Sequence, residues 1–147
     1  MHEKEEDGLM TRKKFIAALG RSAAGMLCIN GFLGCIPTEN PVQPPSSVDF
    51  TLDLDDPGNQ ELRKKGGYIF HSGIIIAHTA GDGYVAVSEA CTHHGNSIDY
   101  RLSEDCFVCL AHGSEFETDG TVRTGPARIP LVRYNTLVRG RSLTIFS

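Results

Sequence analysis

The sequence predicts an all-β fold, a small antiparallel β-sandwich or barrel, behind an N-terminal sorting segment. Three observations carry this. Short runs of β-branched and aromatic residues recur between tight turn signals. The chain has 16 Gly and no Trp, which suits a loop-rich β fold better than a helical one. Its 147 residues fit one compact domain plus a tail.

The tail comes first in the chain. Met1 to Asp7 is polar and mostly acidic, and translation starts at Met1 or at Met10. Thr11-Arg12-Lys13-Lys14-Phe15-Ile16 then precedes a mainly apolar run from Ala17 to Ile36. A basic cluster before an apolar run is the pattern of an export signal. Arg21 and Asn30 interrupt the run, and its cleanest part, Ser22 to Ile36, has fifteen residues. A membrane-spanning helix needs about 20, so the expectation is a signal and not a permanent span. The basic stretch resembles a twin-arginine export motif with Lys13 in place of the second Arg. The alternative is the ordinary basic region of an unfolded export substrate. Phe32-Leu33-Gly34-Cys35 resembles a bacterial lipobox, with Cys35 as the lipidated residue. The Pro-rich segment from Pro37 to Ser47 follows at once and reads as a semi-extended tether. The expected division is 1–35 for the signal, 36–47 for the tether and 48–147 for the folded domain.

The strands follow in order. Val48 to Asp53 alternates apolar and polar residues, the period of a half-buried strand. Asp55 to Asn59 is a turn cluster, and Glu61 to Lys65 is a loop or a single helical turn. Tyr68 to His71, Ile74 to His78 and Tyr84 to Ser88 are three runs parted by Ser72-Gly73 and by Gly81-Asp82-Gly83. No helix pattern follows that last turn, so it is not a phosphate loop. Ser97 to Arg101, Cys106 to Val108, Ile129 to Val138 and Ser142 to Phe146 complete the series.

Two short pairs stand out among these elements. Cys91-Thr92-His93 lies on a loop closed by Gly95, and Cys109-Leu110-Ala111-His112 follows a strand. Each pair offers one thiolate and one imidazole. Such a set suits a tetrahedral zinc or a 2Fe–2S cluster with mixed ligands. Zinc fingers usually pair like with like. Mixed pairs suit a binuclear centre in which each loop gives one ligand to each metal. The downstream segment carries nine Lys and Arg against fourteen Asp and Glu from Ile36 onward, a balance of −5. With no basic patch, nucleic acid is not an expected partner.

The two pairs, extended by Gly113-Ser114-Glu115-Phe116, resemble a Rieske iron–sulfur domain. Gly125-Pro126-Ala127 lies where that family has a proline loop over its cluster. The resemblance runs from about Gly67 to the C-terminus. It implies a small antiparallel domain with a 2Fe–2S cluster at its tip. Cys91 and Cys109 would bind the inner iron, and His93 and His112 the outer one. Respiratory members carry two further Cys that join the cluster loops by a disulfide. The matching positions here are Asn96 and Ala111, which cannot bridge. Ser114 matches a Ser whose hydroxyl donates to a cluster sulfur, and Phe116 stands where high-potential members have a Tyr. The expected potential therefore lies between the respiratory and ferredoxin-type extremes.

The remaining candidates have plainer readings. Cys106 is three residues from Cys109, an offset that puts their side chains on opposite faces of a strand. It reads as a buried or edge thiol. His94 reads as an exposed neighbour of a ligand, and His71 and His78 as surface or satisfied strand residues. Taken together these readings describe an electron carrier at the cell envelope, periplasmic and held to the membrane by lipid at Cys35. It would receive electrons from a redox protein partner or a quinol-linked donor and has no bond-making site of its own. Two alternatives stand beside this. One is a small iron–sulfur subunit of a larger oxidoreductase, of the arsenite-oxidase type or like a dioxygenase ferredoxin. The other is a zinc-binding structural module.

Overall fold

The computed structural model describes residues 43–147. The export segment, Cys35 and most of the tether lie outside the described residues. Ten strands and one 3₁₀ helix make up the rest. A six-stranded antiparallel sheet has the order β1-β10-β9-β4-β3-β2, and a four-stranded one the order β5-β6-β7-β8. The strands are β1 (Asp49–Asp53), β2 (Tyr68–His71), β3 (Ile74–His78), β4 (Tyr84–Ser88), β5 (Asp99–Arg101), β6 (Cys106–Cys109), β7 (Ser114–Glu117), β8 (Val122–Thr124), β9 (Arg133–Arg139) and β10 (Ser142–Phe146). The all-β expectation is met.

Side-chain alternation divides the interior in two. On β3, Ile74 and Ile76 face a core shared with Leu62, Leu143 and Ile145. Ile75 and Ala77 face a second core built on Phe107, Phe116, Ile98 and Val87. The four β3 residues Ile74–Ala77 are wholly buried because the strand has a core on each side. This is why its sequence is apolar throughout, where β1 alternates. Cys91 and Cys109 belong to the second core. Residues of the large sheet, Ile75 and Val87, and of the small sheet, Phe107 and Phe116, share that core with the cysteine pair.

Several element boundaries differ from the sequence expectation, each for a local reason. The turn cluster becomes a 3₁₀ helix, Pro57–Arg63, because Asp56 caps it by accepting from Gly58 N. Pro57 at its start needs no N–H partner. The strand expected from Ser97 begins at Asp99, since Ser97 makes only an isolated bridge to Ala90. The run expected from Ile129 becomes β9 only at Arg133. Pro130 has no N–H, and Leu131 N donates instead to Gly120 O at 2.9 Å. The short β8 was not anticipated. It is an edge strand on β7, with a register shift between Glu115 and Phe116.

Candidate metal centre

Each Cys/His pair closes on itself in the same way. Gly95 N donates to Cys91 O at 2.7 Å, and Gly113 N donates to Cys109 O at 2.8 Å. Both glycines have positive φ, 79° and 73°. A side chain would strain those turns. The result is two matching loops, each of which places a Cys at its base and a His near its crown. We call them the first loop (89–98) and the second loop (110–113). A third loop, 125–132, runs from the Gly125–Pro126 cis peptide into β9.

The donors are ordered by depth. Cys91 and Cys109 are 2% and 1% exposed, in the apolar core. His93 is half-buried, and His112 is exposed. The His93 and His112 rings lie with centroids 4.9 Å apart, nearly perpendicular. The Cys91 thiol interacts with Cys109 and with the Ser114 hydroxyl. Burial pushes its pKa up, while the His93 backbone N–H and the Ser114 hydroxyl oppose that rise. For His93 the pKa is held below the usual imidazole value. Desolvation is the main cause, followed by repulsion from His94 and His112. A neutral imidazole is the form that ligates metal.

One atom marks where the donors aim. Among the described residues, His93 Nδ1 is the buried side-chain N or O atom without a hydrogen-bond partner. Such atoms are uncommon and need an explanation. A metal ion held between the two loops would supply it. The donor set, two buried thiols and two imidazoles, fits a 2Fe–2S cluster with mixed ligands.

The supports around the donors come from three places. Ala127 N donates to Ser114 Oγ at 3.0 Å, which leaves the Ser114 proton free to turn toward Cys91. Phe116 is wholly buried in the same core and offers no hydroxyl. Thr92 Oγ1 donates to Ile129 O at 2.6 Å and so ties the first loop to the third. Neither this tie nor the Tyr68 to Asp99 hydrogen bond of 3.0 Å was anticipated from sequence. Both join residues far apart in the chain. Asn96 and Ala111 are exposed, and Cys91, Cys106 and Cys109 are free thiols, so no disulfide joins the loops among the described residues.

The other candidates take quieter places. Cys106 is fully buried and belongs to neither of the two cores, and burial raises its pKa. His78 Nδ1 donates to Leu62 O at 2.9 Å, and its ring stacks on Tyr84. His71 packs on Phe50. His94 is exposed but does not stand apart: its ring centroid is 3.8 Å from that of His93 and 5.2 Å from that of His112.

A small antiparallel β domain holding a buried thiol pair beneath two imidazoles is built as an iron–sulfur protein. The model of the Rieske [2Fe-2S] domain matches residues 49–135, and the chain belongs to that family. Its cofactor is the family's 2Fe–2S cluster. The chain is 29% identical over 76 residues to the cytochrome b6-f complex iron-sulfur subunit of Chlorobaculum thiosulfatiphilum, a match covering 52% of this chain and 42% of that one. It is 34% identical over 67 residues to the corresponding subunit of Cyanothece sp. (strain PCC 7425 / ATCC 29141), covering 46% and 36%. The match thus spans less than half the length of these curated relatives. Among solved structures, the ferredoxin of carbazole 1,9a-dioxygenase from Nocardioides aromaticivorans IC177 shares the fold, with 21% identity and a TM-score of 0.53 over 70% of this chain and 97% of that one.

Proposed function

We propose that this chain is a one-electron carrier of the cell envelope. Cys91 and Cys109 hold the inner iron of its cluster, and His93 and His112 hold the outer one. The observation that carries this reading is the depth order of the donors, thiols in the core and imidazoles toward solvent. When bound, such a cluster supplies a one-electron couple at roughly −150 to +300 mV, against about −400 mV for plant-type ferredoxins. Two thiolates and two sulfides balance two ferric ions, so neutral His93 and His112 leave the site uncharged. A four-thiolate site would be a dianion and harder to reduce.

The protein's own residues do the rest. The core around Cys91 and Cys109 excludes water from the thiolates. His93 and His112 give the electron a short way to the surface. Leu110 and Ile129, 71% and 64% exposed, flank them as an apolar rim. A rim of that kind suits a partner protein or a quinol-linked donor. It equally supports the second reading, a small iron–sulfur subunit of a larger oxidoreductase. The curated relatives carry the name of such subunits. Export across the membrane, the tether over 36–47 and a lipid at Cys35 complete the proposal and place the domain, 48–147, at a membrane face.

Anaerobic purification tests the reading directly. The expected product is coloured, with two iron and two acid-labile sulfide per chain and the electron paramagnetic resonance of a mixed-ligand cluster on reduction. A colourless, zinc-loaded protein would overturn it. His112→Cys should lower the potential sharply if its cluster assembles, because it replaces a neutral ligand by an anionic one.

A further inference from the structure

The cluster reading uses two of the three imidazoles at the crown and leaves His94 with no task. Yet the His94 ring lies closer to His93 than His112 does, at 3.8 Å against 4.9 Å, and 5.2 Å from His112. The ligating nitrogens of His93, His94 and His112 all lie within 4.8 Å of one another. A tetrahedral zinc with Zn–N of about 2.0–2.1 Å wants its nitrogens about 3.3 Å apart. The rings must therefore close by roughly 1.5 Å at most. His94 and His112 are exposed and can swing by that much without disturbing the core. His93 already offers an unsatisfied buried nitrogen.

We propose that the cluster-free chain binds one zinc ion through His93, His94 and His112, with water in the fourth position, and that this ion competes with cluster loading. The proposal rests on the assignment of His93 and His112 as cluster ligands. Three His ligands and an open position form a known zinc arrangement. The residues around His94 and His112, 91–97 and 109–114, include no charged side chain other than the imidazoles. Arg128 lines the hollow on the other side of His93, with Thr92 and Ile129, and so leaves the His94 side open to a cation. The competition is steric and stoichiometric. One zinc takes both imidazoles that the outer iron requires, so a chain loaded with either centre cannot accept the other. No redox step is involved, since zinc neither gains nor loses an electron here.

The test titrates zinc into the full chain in three forms: cluster-free, cluster-loaded, and cluster-free His94→Ala. Calorimetry or competition with a chromophoric chelator reads the affinity. The expected results are one zinc per cluster-free chain, at least tenfold weaker binding in His94→Ala, and no binding at this site in the loaded chain. His94→Gln serves as a second variant. A parallel reconstitution with iron and sulfide in the presence of equimolar zinc gives a second readout, the amount of cluster taken up. Zinc should suppress cluster uptake in the native chain and much less in His94→Ala. Equal zinc affinity with and without His94, or unchanged zinc binding after cluster loading, would overturn the proposal. Failure of the cluster assignment looks different. There, no variant takes up a mixed-ligand cluster even without zinc, or His94→Ala alone abolishes it.

Discussion

Ser114 is the residue on which the electronic character of the site turns. Its hydroxyl accepts from Ala127 N and keeps its own proton for the sulfur side, where it would stabilise negative charge. That charge is larger in the reduced state. If the bond is stronger there by about 1.4 kcal/mol, about the net worth of one hydrogen bond, the potential rises by about 59 mV. Ser114→Ala should therefore lower the midpoint by tens of millivolts in a redox titration, with the cluster spectrum retained. Phe116→Tyr tests the opposite direction. Phe116 is wholly buried, so the new hydroxyl must find the site or remain unsatisfied. A raised potential is expected, and an unchanged one would show that the hydroxyl cannot reach. These two residues were legible in sequence because they follow His112 at fixed short offsets. His94 was legible only in part. Its neighbour in sequence was clear, but its approach to His112, eighteen positions on, comes from two loops folding onto one crown.

At the scale of elements, the loops are held without a covalent link, and the ties are long-range. Thr92 to Ile129 spans 37 residues, which no local pattern reveals. The strand pattern was legible because alternation is a local property, whereas the starts of β5 and β9 depended on which distant carbonyl took each N–H. Thr92→Val keeps the shape of the side chain and removes the bond. The expected cost is about 0.5–1.5 kcal/mol. The loss should show in faster bleaching of the visible cluster band, since residues 126–129 of the third loop line a hollow together with Thr92 and His93. The small sheet has its own clamp. Arg123 Nε and Nη2 donate to the two carboxylate oxygens of Glu117 at 2.7 and 2.6 Å, and Nη1 donates to Glu104 O. Arg123 holds the Glu117 carboxyl below its ordinary value of 4.5. A depressed carboxyl contributes stability that is present above the unfolded value and lost as pH falls through the folded one. Thermal unfolding of Arg123→Ala should thus fall below that of the native chain near neutral pH. The gap should narrow as pH drops below about 4.5.

At the scale of the whole molecule, the chain path decides where the tether meets the site. β4 ends at the first loop, and Val87 of β4 pairs with Arg133 at the start of β9. β9 pairs with β10 through Asn135 and Phe146, and Phe146 pairs with Asp49 at the start of β1. The beginning of β1 therefore lies at the cluster end of the large sheet. Pro45 O accepts from the buried Tyr134 hydroxyl at 3.0 Å, and Gln43 and Pro44 line a hollow beside Cys91–Gly95. From sequence this Pro-rich stretch reads only as a tether, because composition shows that it cannot build a core and is silent on what it leans against. Its last residues instead form part of the wall near the first loop. A chain beginning at Val48 would strip Tyr134, 2% exposed, of its acceptor. Water can then reach the hydroxyl, so the loss is the net worth of one hydrogen bond, about 0.5–1.5 kcal/mol. For a domain of this size each kcal/mol moves the midpoint of thermal unfolding by roughly 4–8 °C. The domain begun at Val48 should therefore unfold several degrees below the one begun at Gln43. Unfolding followed by visible circular dichroism of the cluster would measure the difference, and equal midpoints would show that the Pro45 contact does not hold in solution.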